Sequence, residues 1–230
     1  MTPADVDGLM KFYTSERAKG GFEAGIRTAL QAMLASPHFI FRLEETPADA
    51  KPGQSYRIGD LDLASRLSFF LWGSGPDDQL IAAAEKGTLA TPEGLEQETR
   101  RMLADPRASA LSTRFGAQWL RLQDLDKIHP DSRLYPQFDT TLADAMRTET
   151  EMFFESIVRE DRDVLDLLTA DYTFVNERLA RNYGIPNVTG PEFRRITLMD
   201  TNRRGLLGQG SILTMTSKFS SASPIGSMTR

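Results

Sequence analysis

Apolar residues recur at three- and four-residue spacing through most of this chain, and helix start and stop signals separate the recurrences. The longest pattern covers residues 139–160, and a shorter one runs from Asn176, a good N-cap, to Gly184, a good left-handed terminator. Each pattern puts one apolar stripe on a helix, and such stripes are buried when helices pack together. The sequence therefore predicts a mainly α fold, an irregular multi-helix bundle with at most a few short strands.

Proline, glycine and capping residues set the expected limits of the elements. Residues 2–35 predict two helices broken at Gly20-Gly21, and residues 38–44 predict a short strand or an extended arm. The other predictions are helices at 60–72, 76–87, 91–105 and 106–120, a loop at 124–138, helices at 139–160, 163–170 and 177–183, a strand at 192–198 and a helix at 205–215.

Length and composition exclude several classes of protein. The 230 residues are 40% hydrophobic, which suffices for one large domain or two small ones. No apolar run reaches the roughly 18 residues of a transmembrane segment, and residues 1–12 lack the features of a signal peptide. The net charge of −5, with bases and acids interleaved, argues against nucleic-acid binding. Because cysteine is absent, these residues hold no disulfide, zinc–thiolate site or covalently attached haem.

The longest predicted helix carries several glutamates, and carboxylates on a helix are possible metal ligands. A helical di-metal centre takes Glu-x-x-His pairs from facing helices, whereas Phe154 follows Glu151 at that spacing and Met152 follows Glu149. We therefore expect no metal site within these residues. Glu149, Glu151 and Glu155 are expected to form a solvated or cap-bonding acidic face.

The chain has two histidines. His38 precedes three large apolar residues, so we expect its ring to pack against them and to bond a backbone carbonyl. An axial ligand to the haem of a neighbouring module is the alternative role for His38, and it makes this residue a weak candidate for cofactor binding. His129 precedes a proline in a predicted loop and is expected at the surface.

Paired acids for glycoside hydrolysis must face each other across a cleft at about 5 to 9 Å, and sequence spacing does not fix such a distance. Asp77 stands at a helix start, where the helix dipole explains an acid without catalysis. Asp171 and Glu177 flank another helix start, where capping or salt bridges to Arg178 or Arg181 explain them. A structural role is favoured for each, with catalysis as the alternative.

Glycine, serine and aromatic patterns give no catalytic signature either. Gly205-x-x-Gly208-x-Gly210 reverses the dinucleotide fingerprint, so these glycines favour close helix packing over nucleotide binding. No G-x-S-x-G elbow is present. The aromatic runs that include Phe70 and Phe153-Phe154 are expected in the core.

Four dense motifs occur in order: LASPHFIFRLEE at 34–45, LASRLSFFLWGSGPDDQL at 63–80, DYTFVNERLARNYGIP at 171–186 and RRGLLGQGSILTMTS at 203–217. Through them the chain resembles the secreted multidomain proteins of unknown function typical of planctomycetes and related bacteria, which are often linked to a cytochrome c module. The resemblance implies a fragment with the end of a first family domain at 1–45, a linker at 46–59, a central helical domain at 60–188 and the truncated start of a third at 189–230.

The resemblance also implies a setting for the chain. The parent protein is expected to be exported, periplasmic or secreted, with the flanking domains of the same chain and a cytochrome c module as partners. A haem c, where present, lies upstream of these residues. The resemblance carries no established activity.

Two hypotheses of function remain open. The first is a non-catalytic or accessory module that packs against a cytochrome c segment or a polymer-degrading partner. The second is part of an enzyme acting on complex polymers such as polysaccharides, with its active site completed by flanking residues. Convergence of charged candidates in one cleft would favour the enzyme, and these candidates are Arg66, Asp77, Glu149, Asp171, Glu177 and Arg204.

Overall fold

A computed structural model of the chain describes residues 3–44, 46–47 and 50–217, without the side chains of residues 3–5 and 38. This part of the chain is mainly helical with one small two-stranded sheet, so the predicted fold class is confirmed. The chain divides into two compact units, Met1–Ser65 and Arg66–Arg230. The division into family domains stays a prediction. Within the described ranges, no helix has both the length and the apolar character needed to cross a membrane.

The elements follow one another closely. The α-helices are α1 Pro3–Leu34, α2 Pro37–Ile40, α3 Asp60–Leu71, α4 Asp78–Glu85, α5 Pro92–Ala104, α6 Ala117–Trp119, α7 Thr140–Arg159, α8 Asp166–Thr169, α9 Glu177–Tyr183 and α10 Gly210–Thr216. A π-helical stretch, Leu111–Gly116, precedes α6. Short 3₁₀ turns occur at Thr88–Ala90, Pro106–Ala108, Leu122–Lys127, Thr201–Arg203 and Leu206–Gly208. The strands β1 Tyr172–Val175 and β2 Arg194–Thr197 pair antiparallel, with Tyr172 opposite Thr197.

The first unit is built around the long helix α1. Its backbone leaves the helical region at Gly21, which has a φ of 79°, so the predicted break is confirmed. The two halves fold back on each other, since the rings of Tyr13 and Phe22 lie 6.2 Å apart. A Cβ on Gly25 would approach Tyr13 to 2.8 Å, so only glycine permits this packing.

The predicted strand or arm at residues 38–44 is partly wrong, because one turn of helix, α2, occupies its start. Ser36 is extended, as expected before a proline, but Pro37 then begins a new helix instead of only ending the previous one. Phe41 returns to an extended conformation.

The core of the second unit lies along α7. Its first half packs through Leu142 and Met146 against Val175 and Leu179, and its second half packs through Phe153 against β1. Helix α7 contacts β1, α9 and α10. It therefore places its buried polar side chains, Glu149 and Thr150, next to these three elements.

Local signals placed most helix ends correctly. Asp77, Thr91, Asp139 and Asn176 each accept a hydrogen bond from a backbone amide in the first turn of the following helix. Gly184 adopts the left-handed conformation and ends α9. These caps confirm the predicted starts of α4, α5, α7 and α9.

Several local predictions fail. The predicted helix at 106–120 is a 3₁₀ turn, a π-helical stretch and the short α6, and the predicted loop at 124–138 begins within the 3₁₀ turn Leu122–Lys127. The last helix begins at Gly210 and not at Gly205, whose φ of 60° belongs to a turn packed on the backbone of Leu168. The sequence predicts β2 but not β1, because β1 is a short strand that is ordered by pairing with β2. Phe70 is half-exposed, whereas Phe153 and Phe154 are buried as expected.

Candidate functional site

The candidate residues do not converge in one cleft. Arg66 is exposed on α3, and Arg204 and Asp171 are also exposed. No two of the other five candidates share a hydrogen bond or an ion pair within the described part of the chain; these five are Asp77, Glu149, Asp171, Glu177 and Arg204. His38 lies on α2, and its side chain is outside what the structure describes.

Asp77 is held in a dense set of charge-assisted hydrogen bonds. Its carboxylate accepts two bonds from Arg101, at 2.8 and 3.0 Å, and a longer one of 3.3 Å from Arg107. It also caps α4 by accepting from the amide of Leu80 at 3.0 Å. The bonds from Arg101 are the main reason that the pKa of Asp77 is lowered from 3.8 to about 2.

Trp72 lies beneath the same arginines. The guanidinium carbon of Arg107 is 3.5 Å from the centre of the indole and that of Arg101 is 5.5 Å away. The indole N–H donates to the carbonyl of Met102 at 2.9 Å. This cluster ties the end of α3 to α4 and α5, so Asp77 has a structural task that occupies its carboxylate fully.

Glu149 overturns the expected solvated face on α7. It is only 1% exposed, and its carboxyl oxygens accept from the hydroxyls of Thr173 on β1, at 2.6 Å, and of Tyr183 on α9, at 2.5 Å. The amide of Gly210 at the start of α10 donates to the Tyr183 hydroxyl at 2.7 Å. Glu149 therefore joins four elements that are distant in sequence. Glu155 does form an exposed salt bridge, to Arg159.

Burial dominates the electrostatics of this site. Loss of water raises the pKa of Glu149 from 4.5 to about 7, although the hydroxyls of Thr173 and Tyr183 and the charge of Arg203 act in the opposite direction. Burial, and then the adjacent Glu149, raise the pKa of Tyr183 well above its ordinary value. The guanidinium of Arg203 stacks on the Tyr183 ring at 4.3 Å. A carboxyl with this pKa carries a proton for part of the time near neutral pH.

The polar network continues along α7 to the C-terminal segment. The hydroxyl of Thr150 donates to the side-chain oxygen Oε1 of Gln209 at 2.7 Å and lies 2.6 Å from the hydroxyl of Ser211. Gln209 Nε2 and one Nη of Arg203 are buried without an acceptor among the described residues. Each such donor costs about 1–3 kcal/mol, so the network is only partly satisfied.

Glu177 and Asp171 have local roles. Glu177 pairs with Arg181, as the sequence predicted, and its second oxygen accepts from the amide of Gly190 at 2.7 Å. The side chain of Asp171 is exposed, and its backbone carbonyl accepts from the amide of Leu198 beside the sheet. The predicted capping or salt bridge of Asp171 is therefore absent from the described contacts.

A second aromatic–charge cluster was not found by sequence reasoning. Arg195 on β2 stacks on the ring of Tyr172 at 3.6 Å and bonds both carboxylate oxygens of Glu160 at 2.9 to 3.1 Å. The hydroxyl of Tyr172 pairs with Ser156 at 2.9 Å. Because the contacting pairs are separated by 16 to 35 positions along the chain, no local sequence pattern reveals the cluster. The cluster holds the sheet against the end of α7.

The chemical capacity of the Glu149 site is limited by access. A general acid or base must reach its substrate within hydrogen-bonding distance, but Glu149, Thr173 and Tyr183 are all buried. His129 is exposed, as expected, and lines a groove of about 430 Å³ with acidic neighbours. The described residues contain no group of three His, Asp or Glu side chains suited to hold a metal ion.

Two family profiles match the sequence of this chain. The profile of PSD4, a protein of unknown function (DUF1592), matches residues 58–185, which is more than half of the chain. The chain belongs to the PSD4 family. The profile of PSD5, a protein of unknown function (DUF1595), matches residues 1–44. No curated protein and no solved structure matches the sequence.

The PSD4 match ends inside the buried network of this family member. Glu149, Thr173 and Tyr183 lie within residues 58–185, whereas Arg203 and Gly210 lie beyond them. Strand β2 and the 3₁₀ turn at Leu206–Gly208 also follow the match and pack on its elements. The PSD4 region of this chain therefore buries its polar centre with residues from outside the matched span.

Proposed function

We propose that this PSD4-family chain is a non-catalytic or accessory module of an exported protein, and that a cytochrome c segment belongs to the same protein. The observation that carries the proposal is the dispersal of the charged candidates. Asp77 caps a helix and pairs with two arginines, Glu149 is buried, and Glu177 ties down the loop at Gly190. Side chains engaged in this way support the fold and are not free to act on a substrate.

The proposed link to a cytochrome rests on the family resemblance alone. Covalent haem attachment uses a Cys-x-x-Cys-His segment, and these residues include no cysteine. A haem c would therefore be held by another part of the parent protein, upstream. The partners of that haem-carrying part would be the flanking domains and this module. The whole parent protein would be in the periplasm or outside the cell.

A polymer-acting enzyme is the second candidate. A carboxyl with a pKa of about 7 favours it, because strongly shifted groups are concentrated at functional sites. The burial of Glu149 weighs against it, since a substrate would reach the carboxyl only if β1, α9 or α10 moved away. This candidate therefore needs an opening of the second unit.

The first experiment is to sequence the coding region on both sides of this chain and to express the complete parent protein. A signal peptide, a Cys-x-x-Cys-His segment and an absorption spectrum with a reducible haem band are the expected results. Recovery of the protein in the periplasmic or secreted fraction is expected as well. A parent without haem and without an export signal contradicts the proposal.

Activity measurements separate the two candidates. The accessory module predicts that this chain alone has no turnover on polysaccharides. Turnover that disappears in Glu149→Gln, while Glu155→Gln retains it, would establish the enzyme and refute the accessory role.

A further inference from the structure

A row of aromatic side chains lies open to solvent on the second unit. Phe70, Phe115 and Trp119 are 53%, 46% and 55% exposed. Ring centres are 5.7 Å apart between Phe70 and Phe115 and 6.3 Å apart between Phe115 and Trp119, and the latter pair is nearly parallel at 16°. Since such side chains each present roughly 150–250 Å², the row exposes on the order of 300 Å², a size at which surface patches are often functional.

The fold holds this row in place from below. The buried ring of Phe154 on α7 lies 6.4 Å from Phe115 and 6.3 Å from Trp119. A Cβ on Gly116 would come within 3.1 Å of the Phe154 ring, so glycine allows the helix to approach α7 closely. Phe115 is presented by the π-helical stretch, a rare conformation that is frequent at functional sites. The row is therefore a supported, preformed surface.

A small polar groove adjoins the row, although none of the three aromatic residues of the row lines it. Its volume is about 250 Å³, and it is lined by side chains from both α7 and the helix that carries Phe115 and Trp119. Arg114 and Gln118 lie one position before Phe115 and Trp119, on the adjoining helix face. The groove lining is Thr113, Arg114, Ala117, Gln118, Leu122, Gln123, Asp126, Arg147 and Glu151.

Several polar groups in this groove are available to a ligand. Glu151 makes no hydrogen bond or ion pair with a described residue, and its partial burial raises its pKa. Arg114 donates one bond, of 2.6 Å, to the carbonyl of Gly73 and has no acidic partner in the described part of the chain. The amide of Gln118 is exposed and likewise has no hydrogen bond with the described residues. The groove thus offers donors and acceptors with balanced charge.

We propose that the row and the groove together bind a neutral carbohydrate chain. A pyranose ring has an apolar C–H face and a rim of hydroxyls. The face fits on Phe115 and Trp119, and the hydroxyls bond Gln118, Arg114 and Glu151. Ligand sites typically combine apolar or aromatic surface with a few placed polar groups, and here the row supplies the first and the adjoining groove the second.

Other partners fit this chemistry less well. An apolar protein segment that covered the row and groove would take the carboxylate of Glu151 out of water without supplying a donor, which is costly. A single-stranded nucleic acid also stacks on aromatic rings, but it needs a groove with an excess of positive charge. Glu151 and Asp126 cancel that excess here, and the chain carries a net charge of −5.

The test uses the chain itself with three soluble probes, cellohexaose, chitohexaose and laminarihexaose. Of the two tryptophans, Trp72 is buried and Trp119 is exposed, so ligand binding is read from the emission of Trp119 and its protection from acrylamide. We expect saturable binding of at least one probe, with a Kd below about 1 mM, measured independently by calorimetry. No saturation by any of the three overturns the proposal.

Variants locate the site by calorimetry. Trp119→Ala and Gln118→Ala are each expected to weaken binding, Trp119→Ala by at least about tenfold, as for a central aromatic contact. Met199→Ala, at a residue 94% exposed elsewhere in the unit, is the matched control and leaves Kd unchanged. Circular dichroism and urea denaturation verify the fold of each variant. Binding that survives Trp119→Ala at full strength overturns the proposal, as does self-association in the ultracentrifuge that depends on Trp119.

Discussion

Replacement of Glu149 by glutamine should remove a pH-dependent loss of stability from the second unit. The unfolded carboxyl loses its proton near its ordinary pKa of 4.5, whereas the folded one retains it up to about pH 7. Between these values the folded state binds more protons than the unfolded state, so the free energy of unfolding falls as the pH rises. The stabilising contribution is complete below pH 4.5 and lost above pH 7.

The magnitude follows from the size of the shift. At 1.36 kcal/mol for each pKa unit, the change from 4.5 to about 7 corresponds to a loss of about 3 kcal/mol in the free energy of unfolding. Because glutamine does not titrate, Glu149→Gln has no such loss. Its stability relative to the unsubstituted chain should therefore rise by about 3 kcal/mol between about pH 4 and about pH 8.5.

The assay is urea denaturation at a series of pH values, with linear extrapolation to water. Tryptophan fluorescence reports the correct unit, because Trp72 and Trp119 both lie within Arg66–Arg230. Glu155→Gln is the control on the same helix. It removes an exposed ion pair worth at most about 1 kcal/mol and should follow the pH dependence of the unsubstituted chain. Parallel curves for Glu149→Gln and the unsubstituted chain would refute the assignment of the buried, titrating carboxyl.

Two further stability predictions follow from the geometry. Asp77→Ala should lower the free energy of unfolding by about 1–2 kcal/mol through loss of an N-cap, measured by urea denaturation, while Asp78→Ala, at the adjacent exposed acid, should change it by less than about 0.5 kcal/mol. Gly205→Ala should cost at least about 2 kcal/mol, because the φ of 60° disfavours a side chain and the new Cβ would lie 2.5 Å from the backbone of Leu168. Gly75→Ala, where a Cβ meets nothing within 4 Å, is its control.

Each of these predictions has an outcome that contradicts it. Equal losses for Asp77→Ala and Asp78→Ala would show that the cap and its arginine pairs contribute nothing specific. A Gly205→Ala variant as stable as Gly75→Ala would mean that the turn before α10 is not as close to Leu168 as the structure has it.

Helix positions were predictable because their signals are local. Asn176 and Gly184 stand at the two ends of α9, and each acts through its own conformation and the nearest backbone groups. Asp139 likewise fixes the start of α7. Strand β1 was missed because its four residues are ordered by pairing with β2, about twenty residues later.

The environment of Glu149 was not predictable in this way. Glu149 follows Met146 by three residues and precedes Phe153 by four, so spacing places it on the apolar face of α7, whereas Glu155 lies on another face and is partly exposed. Glu149 differs because Thr173, Tyr183 and Gly210 close over it, and the chain brings them from 24 to 61 positions away. Phe70 shows the opposite case, an apolar side chain left exposed beside the π-helical stretch. Periodicity therefore indicates which face of a helix is buried, but not which distant groups a buried side chain meets or whether a single apolar residue is covered.

Because a ribosome makes this chain from its N-terminus, the groups that close over Glu149 appear one after another, and Gly210 is the last of them. Helix α7 and strand β1 leave the exit tunnel before β2 and Gly210 do, and synthesis proceeds at roughly 5–20 residues per second. During that interval the edge of β1 is unpaired and open to other nascent chains. Glu149 is meanwhile hydrated and ionised at neutral pH, so the arrival of residues 194–210 both seals the strand and draws a proton from solvent. Closure over Glu149 is therefore more favourable in a slightly acidic medium.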